Sequence, residues 1–312
     1  MIRVFIDGQA GTTGLKLQGM LADRGDVKIH ILDEAIRKDA AARRAAIEGS
    51  DIVFVCLPDE GARETARLAE GTSARVIDAS TAHRCLSGWA YGFPELSASH
   101  RAAVEGGARV SVPGCHASGF IALTYPLLRA GLLSAEDRLS CFSLTGYSGG
   151  GKSMIAAYEN PDRDWAFRAP RIYGLSQTHK HLPEMQGVTG LRYAPIFTPV
   201  IADVYSGMAV TVPLFGEGIP GGIKAVRECL AAHYEGARLV RVNPLNEGLG
   251  ADADILAMAA MKGRNDMVLA VSGNDKRITL TALYDNLGKG AAGAAVQCFN
   301  LMTGRDETTG LL

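Results

Sequence analysis

Cysteine, histidine and glycine at close spacing can support nucleophilic acyl chemistry, and they meet in Ser111-Val112-Pro113-Gly114-Cys115-His116-Ala117-Ser118-Gly119. A β-like run over 108–112 ends at Pro113-Gly114, and an apolar helical pattern follows. This arrangement predicts Cys115 in the first turn of a helix. There the unpaired N–H groups and the positive end of the helix dipole favour a thiolate over a thiol. The same N–H groups could hold an oxyanion beside the sulfur, so one turn could supply both nucleophile and electrophile. The alternative is a buried structural cysteine, the ordinary role of a free one.

A partner for the cysteine stands in Thr178-His179-Lys180-His181-Leu182-Pro183-Glu184. Histidines at i and i+2 project to the same side of an extended segment. No third ligand clusters with them, so no metal site is expected. One of His179 and His181 acting as general acid/base beside Cys115 suits the pattern, with Glu184 as an orienting carboxylate. His116 ranks below them, because the next residue on a helix turns away from the thiol. His83 and His100 read as ordinary loop or surface histidines. Gly146-Tyr147-Ser148-Gly149-Gly150-Gly151-Lys152-Ser153 fits the nucleotide-phosphate loop GxxxxGK[ST]. No apolar strand ending in a magnesium-binding aspartate follows it. A glycine-rich active-site loop is therefore the better reading, with Ser148 and Lys152 as substrate contacts.

These residues need a scaffold. The run at 2–7 reads as a buried first strand, and Gly8-Gln9-Ala10-Gly11-Thr12-Thr13-Gly14 follows it. Leu15, Leu17 and Leu21 then begin a helical face. Strand, glycine turn and helix form a dinucleotide-binding element, with Gly8, Gly11, Thr12, Thr13 and Gly14 at the pyrophosphate. A glycine-rich turn without ligand is the alternative. The second strand, 27–32, ends at Asp33-Glu34, where an acidic residue would hold a ribose 2′-OH. Arg37 and Lys38 follow at once and could accept the 2′-phosphate of NADP; a solvated charge run is the competing reading. The run at 50–58 is a continuous apolar strand that brings Pro58 to the cofactor crevice. A strand over 75–78 leads to Ser80, at the same edge, and to Arg84, which could clamp a phosphate or carboxylate or be a plain surface arginine.

Beyond Cys115 a helix runs towards Leu128, with Pro126 expected to kink it. Strands then follow at 138–145, 208–214, 266–272 and 277–284, with a helix near 222–234. The fold class is α/β: a Rossmann dinucleotide-binding domain over 1–115 and 286–312, and an α+β domain over 116–285 with a mixed, largely antiparallel sheet. A small-residue helix over 284–297 is expected to dock against the first domain.

Composition narrows the function classes. The chain has 312 residues and a formal net charge of −1, too little charge to imply a nucleic-acid or anionic-membrane partner. No apolar run would span a bilayer, and no signal peptide precedes the first strand. The cysteines at 56, 85, 115, 141, 229 and 298 show no CxxC spacing, as expected in a reducing cytoplasm.

The motifs GQAGTTG at 8–14, IDASTAHR at 77–84, YGFPEL at 91–96, VPGCHASG at 112–119, TGYSGGGK at 145–152, HKHLPE at 179–184 and DNLGKGAAGAAVQ at 285–297 resemble the N-acetyl-γ-glutamyl-phosphate reductases, in particular the shorter of their two sequence classes. The resemblance runs nearly end to end. It implies an NADP(H)-dependent enzyme of arginine biosynthesis, related in fold to aspartate-semialdehyde and glyceraldehyde-phosphate dehydrogenases. It implies Cys115 as nucleophile, His179 and His181 as the histidine pair, Arg84 at the phosphate and Asn286 at the nicotinamide amide. An acyl-phosphate substrate, inorganic phosphate as partner and a homo-oligomer, dimer or tetramer, come with it. Where the longer class carries a Tyr-Pro-Thr-type sequence after its cysteine, this chain has His116-Ala117-Ser118, so the substrate contacts there do not transfer. A sister enzyme acting on aspartyl or N-acetyl-aminoadipyl phosphate would keep every motif. An NADP-binding redox sensor would need neither the cysteine nor the histidine pair.

Overall fold

The computed structural model describes residues 1–249 and 253–312. The chain divides into two units, Met1–Pro113 with Ala291–Leu312, and Gly114–Gly290.

In the first unit strands and helices alternate: β1 (Ile2–Asp7), α1 (Thr12–Ala22), β2 (Val27–His30), α2 (Ala40–Glu48), β3 (Ile52–Val55), α3 (Asp59–Leu68), β4 (Arg75–Asp78), β5 (Ala90–Tyr91), α4 (Ala98–Gly106) and β6 (Arg109–Ser111). The sheet order is β2-β1-β3-β4-β6-β5, and every pair is parallel. β3 is buried along its whole length, as a strand covered on both faces must be. The order reverses direction between β1 and β3, and such a switch opens a crevice at the carboxyl ends of the two strands. On α1, Leu17 and Leu21 are buried and Leu15 is half exposed. The apolar face therefore starts at Leu17, since residues two apart do not share a helix face.

The second unit contains α5 (Cys115–Arg129), β7 (Ser140–Gly146), α6 (Gly151–Glu159), β8 (Arg171–Ile172), α7 (Leu182–Thr189), β9 (Ile196–Ala202), β10 (Met208–Phe215), α8 (Gly222–His233), β11 (Val240–Val242), β12 (Met267–Gly273) and β13 (Arg277–Tyr284). They build a seven-stranded sheet ordered β11-β12-β13-β10-β7-β9-β8. β11 pairs parallel with β12 and β7 with β9, and the other neighbours are antiparallel. The sheet is mixed and largely antiparallel, as the alternation predicted. β9 is an addition to the expected strands. Pro199 inside it argues against a central strand, yet its carbonyl accepts from Tyr173 N–H and its neighbours pair on both sides.

Two helical segments have unusual interiors. α5 continues through Pro126 to Arg129. A proline at this position cannot donate to the carbonyl four residues back, and the Tyr234 hydroxyl donates to that Ala122 carbonyl instead, at 2.8 Å. The small-residue segment is not one helix from 284. The Asp285 carboxylate accepts from the N–H groups of Leu287 and Gly288 and turns the chain. A π-helical turn over Gly288–Ala292 follows, and then α9 (Gly293–Met302). All ten residues of α9 are buried, and it packs in the first unit against α4 and β4, with Phe299 5.8 Å from Phe54.

α5 lies directly on β10 and β13 because Gly119 has no side chain. A Cβ there would fall 2.7 Å from the Tyr284 hydroxyl and 2.7 Å from Val210 Cβ. The expected outcome of Gly119→Ala is a loss of about 1–3 kcal/mol, measured as a lower urea midpoint. A midpoint unchanged from wild type would show that the close approach is not required.

Candidate active site

Cys115 is the first residue of α5, with Gly114 as its cap and no side chain capping the helix. A helix leaves its first N–H groups without intrahelical acceptors. Ser118 N–H bonds to the Gly114 carbonyl at 2.8 Å, but the N–H groups of His116 and Ala117 meet no acceptor among the described residues. Two side chains fix this turn. Buried Glu184, on α7, accepts from Gly114 N–H at 2.8 Å. The Tyr284 hydroxyl donates to the Cys115 carbonyl and accepts from Gly119 N–H at 3.0 Å, the two groups that a regular helix would pair with each other. Burial, followed by the Cys115 charge, pushes the Tyr284 phenol well up, so it remains a neutral donor. Gly290 passes close by, and a Cβ there would come within 3.2 Å of Cys115 Cβ.

His179 and His181 lie together, their rings 4.7 Å apart and nearly perpendicular. They sit in a turn leading into α7, with His181 at its cap, and not in an extended segment. The turn brings the rings together through a different geometry: His181 N–H donates to His179 Nδ1 at 3.2 Å. That bond leaves Nε2 as the protonated nitrogen of a neutral His179. Glu184 holds the Cys115 turn through Gly114.

The sequence argument set His116 aside, but the structure places it at the centre. It is buried, with its ring 5.6 Å from both His179 and His181. Its Nδ1 is 2.7 Å from Ser143 Oγ and its Nε2 2.7 Å from the Tyr173 hydroxyl. Burial, helped by His179, pulls its pKa down to about 3, so the ring is neutral. Its ring therefore bridges two hydroxyls, one on β7 and one in the segment before the histidine pair. No sequence motif marked Tyr173 or Ser143; only the fold brings them to residue 116. His83 also departs from expectation. It is buried in the first unit, 2.6 Å from the Asp78 carboxylate and stacked on Trp89.

The loop after β7 is a short 3-10 turn, Tyr147–Gly150, leading into α6. Its strand lies between β10 and β9 in the mixed sheet, unlike the parallel setting of a nucleotide-phosphate loop. Ser148 is buried and accepts from Asn286 Nδ2 at 3.0 Å, while Asn286 Oδ1 accepts from Gly207 N–H at 3.0 Å. The Asn286 carboxamide thus ties two loops of the second unit together. Its neighbour Asp285 is a further hub, accepting from Ser206 Oγ and Gly263 N–H. Lys152 is exposed and makes no ion pair among the described residues.

In the first unit the glycine turn fits a dinucleotide. Gly8 has φ +94°, and a Cβ there would meet the Cys56 carbonyl at 2.4 Å; one at Gly14 would meet the Gly8 carbonyl at 2.4 Å. The N–H groups of Thr12, Thr13 and Gly14 meet no acceptor among the described residues, and Thr12 Oγ1 is buried without a hydrogen-bond partner. Gly11 caps α1 with no side-chain bond. A cavity of about 330 Å³ opens at the β1/β3 crevice, lined by Gly8, Gln9, Leu32, Arg37, Lys38 and Leu57 among others. Arg37 and Lys38 line it, and Asp33 and Glu34 do not. Asp7 also reaches it, but its carboxylate is paired with buried Arg43 at 2.9 Å and accepts from Thr65 Oγ1. Pro58 caps α3. Ser80 is buried, and its hydroxyl donates to Asp78. Arg84 Nε donates to the Val112 carbonyl at 2.9 Å and Nη2 to the Ala79 carbonyl at 3.2 Å. Among the described residues, no cluster of acidic, histidine or cysteine side chains has the form of a metal site, and no helix is long and apolar enough to cross a membrane.

Known proteins give the same picture. The family model described as semialdehyde dehydrogenase, dimerisation domain, matches residues 115–286, and the one described as semialdehyde dehydrogenase, NAD binding domain, matches 28–104. The chain is 44% identical to N-acetyl-γ-glutamyl-phosphate reductase 2 of Pseudomonas putida, over 98% of each protein. It is 43% identical to the N-acetyl-γ-glutamyl-phosphate reductase of Burkholderia cenocepacia, over 96% of this chain and 97% of the relative. Among solved structures, aspartate semialdehyde dehydrogenase II from Vibrio cholerae, complexed with ASA, superposes with a TM-score of 0.72 at 17% identity, over 97% of this chain and 98% of that one. The aspartate semialdehyde dehydrogenase with NADP from Candida albicans does so with a TM-score of 0.67 at 15% identity, over 97% and 98%. At these identities the likeness is one of fold. The chain belongs to the N-acetyl-γ-glutamyl-phosphate reductase family, within the semialdehyde dehydrogenases.

Proposed function

We propose that this chain catalyses the NADPH-dependent reductive dephosphorylation of N-acetyl-γ-glutamyl phosphate to N-acetylglutamate semialdehyde, a step of arginine biosynthesis, through a thioester on Cys115. The observation that carries this reading is Cys115 at the head of α5, with the N–H groups of His116 and Ala117 unengaged and the histidine pair packed against His116. The Cys115 sulfur attacks the acyl carbon, and the oxygen that gains charge lies against those N–H groups. Phosphate leaves, and the acyl group stays on sulfur. Bound NADPH supplies the hydride that reduces this thioester. A histidine N–H of the pair shares the charge of the tetrahedral oxygen and withdraws as the carbonyl re-forms and the Cys115 thiolate departs. The thioester suits hydride reduction because its carbon is more electrophilic than a carboxylate and sulfur is a good leaving group.

The Gly8–Gly14 turn, with Thr12 and Thr13, holds the pyrophosphate, and Arg37 and Lys38 take the 2′-phosphate. Pro58, Ser80 and Asn286 complete the cofactor side, and Arg84, Ser148 and Lys152 the substrate side. The enzyme works in the cytoplasm as a homo-oligomer, a dimer or tetramer. Support for assembly is the sheet face of the second unit that carries exposed Phe142, Ile172, Ile196 and Phe215.

The reverse reaction tests the assignment: NADPH formation from N-acetylglutamate semialdehyde, NADP and phosphate. Phosphate-dependent turnover that prefers this substrate to aspartate semialdehyde is expected, and the opposite preference would move the enzyme to a sister pathway. Cys115→Ala should lower turnover by about 10⁴-fold or more while NADPH still binds, as read by fluorescence titration. For the cofactor, Arg37→Ala with Lys38→Ala should lower the kcat/KM preference for NADPH over NADH by about tenfold or more. A preference unchanged in that variant would remove both residues from the 2′-phosphate site.

A further inference from the structure

We propose that the Tyr173 hydroxyl is a catalytic hydrogen-bond donor to the reacting carbonyl oxygen at Cys115, and that Ser143 and His116 act as positioning residues that turn its proton towards that oxygen. The inference deepens the thioester reading and rests on it.

The argument is one of counting protons. His116 is neutral, so it has one N–H and one lone pair to share between Ser143 and Tyr173. Ser143 is fully buried on β7, and its hydroxyl has His116 Nδ1, at 2.7 Å, as its only hydrogen-bonding neighbour among the described residues. If Nδ1 carried the ring proton, the Ser143 proton would be buried without an acceptor, which costs about 1–3 kcal/mol. Ser143 therefore donates to Nδ1. The ring proton is then on Nε2, which donates to the Tyr173 oxygen at 2.7 Å. In this tautomer His116 has no lone pair left for the Tyr173 proton.

That proton has no other acceptor among the described residues. Burial and the charge of Cys115 both push the phenol up from its ordinary value, so Tyr173 keeps its proton and lies within electrostatic reach of the nucleophile. It is half-buried, and its ring is 5.8 Å from His179. A neutral O–H held on the side chain of the residue that follows the nucleophile, near the histidine pair and with its proton uncommitted, is what a developing oxyanion requires. His116 then contributes twice, through its backbone N–H at the head of α5 and through its side chain, which orients Tyr173. The relay transfers no proton: Ser143, His116 and Tyr173 begin and end the reaction neutral.

The test uses Tyr173→Phe, Ser143→Ala and the double variant in the reverse assay, beside wild type and Cys115→Ala. A donor to the transition-state oxygen predicts a kcat about 10²-fold lower in Tyr173→Phe with KM nearly unchanged, and iodoacetamide alkylation of Cys115 at the wild-type rate. Ser143→Ala releases the tautomer and lets the phenol donate to Nε2, so kcat should fall about tenfold. In the double variant it should add nothing to the loss from Tyr173→Phe. Urea midpoints show whether each variant is folded. A kcat within twofold of wild type in folded Tyr173→Phe, a rise in KM alone, or additive losses in the double variant would overturn the proposal. Those results, with turnover still dependent on Cys115, sink this proposal only; turnover by Cys115→Ala would sink the thioester reading as well.

Discussion

The head of α5 has to be rigid and yet chemically unfinished. A helix start is normally completed by a side chain that takes its orphan N–H groups. Here completion would occupy the donors that the proposed chemistry uses. The chain resolves this by anchoring around those donors: Glu184 takes the N–H of Gly114, one residue before the cysteine. Tyr284 takes the Cys115 carbonyl and Gly119 N–H from the far side. The donors between them, on His116 and Ala117, remain available. Gly119, Gly290 and the end of β13 serve this arrangement, since each admits or supplies an atom close behind the cysteine.

Glycine caps alone do not make such a site, and the contrast lies within this chain. α8 also starts at a glycine, but Asp275 accepts from Ile223 N–H at 3.1 Å and closes it. α2 and α4 are closed by Asp39 and Ser97. α1 resembles α5: its glycine cap leaves the N–H groups of Thr12, Thr13 and Gly14 without acceptors, and Thr12 Oγ1 is buried beside them without a partner. α3, α6, α7 and α9 also start without a side-chain cap, so what sets α1 and α5 apart is the glycine turn before one and the cysteine that begins the other. Each suits an anionic group: a pyrophosphate at one and a tetrahedral oxygen at the other.

Much of this was legible in the sequence because the features are local. The strands over 75–78 and 277–284 coincide with β4 and β13, since apolar runs and alternation are set by near neighbours. Cys115 opens its helix for the same reason: Pro113-Gly114 ends one pattern and starts another. β9 was hidden by Pro199, whose missing N–H is tolerated because its carbonyl still has a donor in Tyr173. The turn holding His179 and His181 was mistaken for an extended segment. The i, i+2 spacing fits either, and only the His181 N–H to His179 Nδ1 bond distinguishes them.

His116 shows where local reasoning fails. Neighbouring residues on a helix do not share a face, and on that ground His116 ranked low as a base. That ranking assumed that only a direct contact with the thiol could matter. What His116 touches is decided by Ser143, 27 residues on, and by Tyr173, 57 residues on. A buried ring placed between two hydroxyls cannot act as the base, because burial holds it neutral far below working pH. That same neutrality leaves the ring a single N–H, which the buried Ser143 hydroxyl assigns to Nε2. The environment that excludes His116 from proton transfer is therefore what qualifies it to orient a hydroxyl that does not titrate.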